Sequence, residues 1–213
     1  MKRHKFILTL FTVFCFLMIF NLSEAQAQEV QGDTDVYTVK SGDSLWKIAV
    51  KYQVGISEII AANPQFKNPD LIYPGDKVYV PLFSGVKAIE QEVIRLTNLE
   101  RQKAGLSPLA HNWELSRVAR YKSEDMSNKN YFSHTSPTYG SPFTMIKNFG
   151  ISYSAAGENI AMGQTTAQAV VQGWMNSSGH RANILSTNFN KIGVGYAKSS
   201  SGKIYWTQMF IRQ

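Results

Sequence analysis

The pattern of apolar positions in residues 36–82 predicts a small domain that begins and ends with a strand. Residues 36–39 and 77–81 have strand propensity, and the second stretch ends in a proline. Between them, Leu45, Ile48, Ala49 and Tyr52 follow one helical face, and a second helix pattern runs through residues 59–61. The order strand, helix, helix, strand predicts a βααβ domain.

The remainder of the chain first shows helical spacing and then changes to strands. Ile89, Val93 and Leu96 share one helical face, and a second helix has a common apolar face at Leu115, Val118, Ala119 and Met126. Residues 191–197 and 203–211 flank a Ser-Ser-Ser-Gly turn and predict a β-hairpin. The second strand is apolar on both faces, which favours a strand covered on both sides. The whole chain is therefore predicted to be an α+β protein.

Side chains that can cap helices set the expected helix starts. A cap satisfies backbone N–H groups that the first turn leaves without partners. The candidate caps are Asp43 or Ser44, Ser57, Asn112, and Thr165 or Thr166.

Residues 1–27 have the pattern of a signal peptide. A positive start at Lys2, Arg3 and Lys5 precedes an apolar run over residues 6–20, and Ala-Gln-Ala at 25–27 supplies a small-x-small cleavage site. The alternative is an uncleaved membrane anchor, but the run is shorter than the ~20 residues that a spanning helix needs. We therefore expect a secreted protein without a membrane anchor after cleavage.

Cysteine usage and charge describe the mature chain further. The single cysteine, Cys15, lies inside the apolar run, so no disulfide is expected after cleavage. The chain has 22 basic and 15 acidic residues, a net charge of +7. Removal of residues 1–27 leaves 19 basic and 14 acidic residues, a net charge of +5. This charge suits an anionic surface such as a bacterial wall, or it serves solubility alone. The basic residues form no stripe, so nucleic acid is not an expected partner.

Two motifs in the small domain resemble a LysM module. They read Val-Lys-Ser-Gly-Asp-Ser-Leu-Trp at 39–46 and Asn-Pro-Asp-Leu-Ile-Tyr-Pro-Gly-Asp at 68–76. The resemblance implies binding of peptidoglycan or another N-acetylglucosamine-containing glycan in a groove between two loops. By position, that groove is formed by Gly42, Asp43, Ser44, Leu45, Asn68, Pro69, Asp70, Leu71 and Ile72. The alternative is that the first loop is a turn with a helix cap and that Leu71 and Ile72 belong to the core.

Three motifs in the larger domain resemble the bacterial branch of the CAP superfamily, the group of cysteine-rich secretory proteins. They are Ser-His-Thr-Ser at 133–136, Gly-Glu-Asn-Ile-Ala at 157–161 and Gly-Trp-Met-Asn-Ser-Ser-Gly-His-Arg-Ala-Asn-Ile-Leu at 173–185. We expect these segments to be loops or helix ends. The resemblance covers residues 86–213 and implies an α-β-α sandwich, with a LysM domain at 36–82 before it.

The CAP resemblance implies a cleft cluster of two histidines and two acidic residues. His134, Glu158 and His180 match three of them, whereas Ser177 stands where many relatives have the second acidic residue. Two imidazoles and one carboxylate could hold Zn²⁺ with a position open for water. The alternative is a hydrogen-bonded structural cluster. No catalytic residue is assigned, although His134 with Glu158 could act as an acid–base pair.

These features together predict a secreted, peptidoglycan-associated protein of the cell wall or the spore envelope. In this hypothesis the LysM module attaches the chain, and the CAP cleft binds a ligand, a metal or an envelope protein. One alternative is a metal-dependent hydrolase that acts on a wall component or a peptide. Another is a carrier of a lipid or another apolar ligand.

Overall fold

The first domain of the structure is a two-stranded sheet with two helices. In the computed structural model, residues 33–213 are described, so the predicted signal peptide and Cys15 lie outside the described residues. The elements in order are β1 (Thr34–Thr38), α1 (Leu45–Tyr52), α2 (Ile56–Ala62) and β2 (Lys77–Pro81). β1 and β2 pair antiparallel, with Val36 opposite Tyr79. This is the predicted βααβ order, and the alternating buried positions of β2, Val78 and Val80, face the helices.

The observed helix caps agree with those predicted from the sequence, except at α2. Ser44 caps α1 by accepting a hydrogen bond from the Lys47 amide, and Asn112 and Thr166 cap later helices. The predicted cap at Ser57 is wrong, because α2 begins at Ile56 without a side-chain cap. The Ser57 hydroxyl instead lies 3.1 Å from the Tyr121 hydroxyl, in the larger domain.

The second domain contains a four-stranded sheet and five helices within the described residues. The elements in order are α3 (Ser84–Lys103), β3 (Ala110–His111), α4 (Trp113–Asn128), α5 (Pro142–Asn148), β4 (Ala155–Met162), α6 (Ala167–Asn176), α7 (Ser178–Ile184), β5 (Lys191–Lys198) and β6 (Ile204–Arg212). The strand order is β3-β5-β6-β4, in which β3 is parallel to β5 and the other neighbours are antiparallel. Across residues 33–213, none of the helices has the length and apolarity required to cross a membrane.

Helices cover both faces of this sheet. Residues of α4 and α5 pack with Met209 and Ile211 on one face, while residues of α3, α6 and α7 pack with Trp206 and Phe210 on the other. Every residue of β6 from Ile204 to Ile211 is buried, as its two apolar faces predicted. The α+β fold is therefore confirmed, with the layers of an α-β-α sandwich.

Side chains from the two domains meet along α4 and the start of α3. Lys87 donates to the carbonyl of Tyr52 at the end of α1, 3.1 Å away. Arg117 lies 3.8 Å from the Glu58 carboxylate. The first contact joins α1 to α3, and the second joins α2 to α4.

Helix α4 lies unusually close to strand β5, and two glycines permit the approach. A Cβ added at Gly193 would lie 2.4 Å from the backbone of Leu115 and Ser116, and one at Gly195 would lie 2.1 Å from that of Ala119 and Arg120. Real Cβ atoms do not come so near to backbone atoms, so the helix would have to move.

We expect the substitution Gly195→Ala to lower the free energy of unfolding by about 3 kcal/mol, because the added methyl group overpacks a rigid helix–strand contact. Urea denaturation of the variant and the wild type measures this difference. Gly179→Ala is the matched control, since a Cβ there meets nothing within 4 Å. Equal stability of the two variants would contradict the close approach of α4 to β5.

Candidate functional site

The centre of the candidate site is a contact between His134 and Glu158. The His134 Nδ1 atom lies 2.7 Å from Glu158 Oε1. The glutamate side chain is only 1% exposed, whereas the imidazole is 54% exposed at the protein surface. The structure therefore brings together the two motifs that carry these residues.

Glu158 belongs to a strand, which corrects the expectation that its motif forms a loop or a helix end. It is the fourth residue of β4 and pairs with Met209 of β6. The rest of the Gly-Glu-Asn-Ile-Ala motif continues this antiparallel register to Trp206. β4 is the edge strand of the sheet, and its pairing with β6 gives the buried carboxylate a fixed position that a loop would not provide.

The surroundings of each group shift the proton affinity of the pair. The hydrogen bond to the Glu158 carboxylate raises the pKa of His134, and burial opposes this effect. Burial raises the pKa of Glu158, against the hydrogen bond from His134 and the positive charge of Lys122. The pair therefore keeps a proton between the two side chains at pH values where a free histidine loses it.

The second carboxylate oxygen of Glu158 has no partner within the described part of the chain. Oε2 is buried, and no protein group in residues 33–213 donates a hydrogen bond to it. A buried acceptor without a donor destabilises a protein by about 1–3 kcal/mol.

A cleft of about 530 Å³ opens beside this pair. Its polar side chains include His134, His180, Ser133 and Ser177, and its apolar wall contains Phe132, Ile160, Met162 and Trp174. The volume lies within the range of small-molecule sites in proteins. A ligand in this cleft would meet both imidazole and hydroxyl groups and apolar side chains.

His180 lines the same cleft but stands apart from the His134–Glu158 contact. It lies on the short helix α7, and burial together with the charge of His134 lowers its pKa. The helix is fixed to β4 by amide groups: Asn159 Nδ2 donates to the His180 carbonyl, and Asn183 Nδ2 donates to Asn159 Oδ1 at 2.9 Å. Both asparagines thus have a structural role.

The predicted trio does not assemble into a set of metal ligands. Within residues 33–213, no group of three or more His, Cys, Asp or Glu side chains is arranged to hold a metal ion. Nδ1 of His134 contacts Glu158, which leaves Nε2 as the other possible ligand atom of this imidazole. Ser177 brings a hydroxyl rather than a carboxylate to the cleft. The residues present therefore do not form a zinc site with three protein ligands, and zinc binding stays a prediction.

Sequence reasoning missed Lys122, which is completely buried behind the cleft. A signal for it exists in the sequence, because Lys122 continues the apolar face of α4 formed by Leu115, Val118, Ala119 and Met126. A charged residue on the inward face of an amphipathic helix needs buried partners. Those partners lie in the loop that carries His134.

The predicted glycan groove contains both exposed and structural residues. Val39 exchanges backbone hydrogen bonds with Gly75 and Asp76, which places the two predicted loops side by side. Leu71 is 53% exposed, whereas Leu45 is buried and Ile72 packs against the core. Asp43 accepts hydrogen bonds from the Tyr37 hydroxyl and the Lys40 amide, so it also builds the turn.

Comparisons with known proteins agree with this geometry. The sequence profile of the Cysteine-rich secretory protein family (CAP) matches residues 94–210, and that of the LysM domain matches residues 37–81. The chain belongs to the cysteine-rich secretory protein family. Its CAP domain follows a LysM domain, as the two sets of motifs implied.

Individual relatives match different parts of the chain. YkwD of Bacillus subtilis (strain 168) is 62% identical over 128 residues, 60% of this chain and 49% of that protein. SpoIVD-associated factor A of the same organism is 54% identical over 46 residues, 22% of this chain and 12% of that protein. A solved extracellular protein with a SCP domain from Bacillus anthracis has a TM-score of 0.57 and 36% identity, covering 66% of this chain and 47% of its own. The chain spans about half the length of the first curated relatives that it matches.

We expect Glu158→Gln to lower the pKa of His134 in the CAP cleft, because the neutral amide removes the carboxylate that holds the imidazole proton. Histidine signals followed by NMR during a pH titration measure the shift. His111 is the internal control, since its pKa is lowered by burial and should not respond to a substitution at Glu158. An unchanged His134 pKa would contradict the contact.

Proposed function

We propose that this chain is a secreted, peptidoglycan-associated protein whose LysM domain attaches it to the envelope and whose CAP cleft binds a ligand. The domains proposed for these two tasks are residues 36–82 and 86–213. LysM domains generally bind N-acetylglucosamine-containing glycans, and the solved SCP-domain relative is described as extracellular. The positive net charge suits an anionic wall.

The observation that carries the cleft's role is His134, whose imidazole lines the cleft and contacts the buried carboxylate of Glu158. One oxygen is paired with His134, and the other has no donor within residues 33–213. A ligand that enters the cleft could exchange a hydrogen bond with the exposed imidazole of His134. Binding needs no second acidic residue, so Ser177 at that position is consistent with it.

The location within the envelope is proposed from the LysM part of the chain. SpoIVD-associated factor A resembles this chain over 46 residues, and its name links it to a sporulation protein. The spore envelope is therefore one proposed site of attachment, beside the cell wall. Both surfaces would be reached through the same glycan-binding groove.

Hydrolysis is the second candidate function, and the His134–Glu158 pair is the observation that favours it. A carboxyl group and an imidazole 2.7 Å apart can exchange a proton, as an acid–base reaction requires. The metal-dependent form of this hypothesis lacks a matching ligand group in residues 33–213. The apolar wall of the cleft, with Phe132 and Met162, favours the third candidate, an apolar ligand.

We expect Leu71→Asn to weaken retention on purified peptidoglycan about fivefold, since Leu71 is the most exposed apolar residue of the proposed groove and would lose its contact with the sugar. A sedimentation assay with insoluble peptidoglycan measures retention. Val36→Asn changes a similarly exposed aliphatic residue on β1, outside the groove, and serves as the control. Equal retention of both variants would place glycan binding elsewhere.

We expect soluble glycan–peptide fragments of the wall to shift the NMR signals of His134 and His180 in the wild type, and His134→Ala to reduce their affinity about tenfold. Retention on insoluble peptidoglycan should stay unchanged in this variant, because the LysM groove is intact. Chromatography of the fragments after incubation tests cleavage. Cleavage by the wild type alone would favour the hydrolase, and an absence of shifts at both histidines would contradict fragment binding in the cleft.

A further inference from the structure

The loop that carries His134 runs from α4 to α5 and has its backbone hydrogen bonds on either side of the histidine. The Tyr131 amide donates to the Met126 carbonyl, and Ser136 and Gly140 pair with each other. His134 itself reaches away from this loop to Glu158 on β4. Its position therefore depends on what fixes the loop between residues 131 and 138.

Lys122 of α4 holds the chain immediately before His134. Its ammonium group donates to the Ser133 carbonyl at 2.7 Å and to the Tyr131 hydroxyl at 3.1 Å, and it lies 4.8 Å from the centre of the Tyr131 ring. The residue is completely buried. Burial lowers the pKa of Lys122, and the negative charges of Glu158 and Asp125 oppose this effect.

Asp125, one helical turn further along α4, holds the chain after His134. One carboxylate oxygen accepts from the Tyr131 hydroxyl at 2.6 Å and from the Ser136 hydroxyl at 2.7 Å, while the other accepts from the Thr138 hydroxyl. Burial alone would raise the pKa of Asp125, but these hydrogen bonds outweigh it and lower the pKa. The carboxylate thus remains charged and accepts all three.

We propose that Lys122 and Asp125 are positioning residues of the CAP cleft, which clamp the loop on both sides of His134 so that its imidazole lies on Glu158. This inference rests on the proposed function of the cleft as a binding site. It assigns a role to two charged side chains that do not themselves line the cleft. Their three-residue spacing on α4 directs both toward the same loop.

The clamp matters because a half-exposed imidazole has other conformations available. Its side chain is 54% exposed, so a single contact with Glu158 competes against the freedom of the loop and of the side chain. Fixing Ser133 and Ser136 removes much of that freedom before the contact forms. The ammonium group of Lys122 also balances the buried carboxylate of Glu158, since it favours the charged form that holds His134.

The test compares Lys122→Met with Lys203→Met in the secreted chain. Methionine keeps the length of the side chain and removes its charge and its donors, and Lys203 is an exposed residue of the β5–β6 turn. Two quantities are measured at fixed pH: the NMR signal of the His134 Nδ1 proton, and hydrogen exchange of residues 131–138. Lys122→Met should abolish the signal and accelerate the exchange about tenfold, whereas Lys203→Met should change neither.

The variant Glu158→Gln distinguishes loss of the His134–Glu158 contact from loss of the clamp on the loop. This variant should lose the His134 signal while residues 131–138 keep their slow exchange, because the clamp on α4 remains. If Lys122→Met does not fold, Asp125→Asn decides the question, since it retains one acceptor oxygen and should accelerate the exchange by a smaller factor. An unchanged His134 signal and unchanged exchange in the folded variant would overturn the proposal.

The outcome also separates this inference from the proposed function. If Lys122→Met loses the His134 signal and also binds soluble wall fragments more weakly, the result supports both the clamp and the proposed function of the cleft. Loss of the signal with unchanged fragment binding supports the clamp and contradicts the proposed role of the cleft in binding those fragments.

Discussion

The close packing of α4 on β5 is the constraint on which the rest of the structure depends. Gly193 and Gly195 let the helix backbone approach the strand to a distance that any side chain would prevent. One face of this helix is thereby fixed against the sheet, and its other residues receive defined directions. Arg117 and Tyr121 meet the LysM domain, whereas Lys122 and Asp125 meet the loop of the cleft. A single helix thus orients both parts of the molecule.

The second determinant is the placement of charge in low-dielectric surroundings. Glu158 occupies a strand whose neighbours are buried, and burial disfavours its ionised form. The hydrogen bond from His134 and the nearby positive charge of Lys122 work in the opposite direction. The result is a buried carboxylate that fixes the imidazole of His134, and His134 is the member of the pair that lines the cleft.

Local sequence patterns predicted the helices and strands whose apolar residues are regularly spaced. They failed where pairing with a distant strand decides the structure. The faces of α3 and α4 and the β5–β6 hairpin follow directly from apolar spacing. Strand β4 was missed because Gly157 and Asn159 disfavour strands locally, and only pairing with β6 imposes the extended conformation. Motifs identified His134, Glu158 and His180, but they could not show that only the first two touch. Lys122 belongs to no motif that we used, and its role emerges only from the path of the loop.

Lys122 is the residue for which stability and function give different expectations. A buried ammonium group is expensive to desolvate, and an apolar residue of similar length at such a position is often neutral or stabilising. The fold alone would therefore accept methionine on this face of α4, between Ala119 and Met126. A lysine supplies what methionine lacks, namely donors for the Ser133 carbonyl and a charge near Glu158. Its presence in the core is best explained by the placement of His134 rather than by the stability of the sandwich.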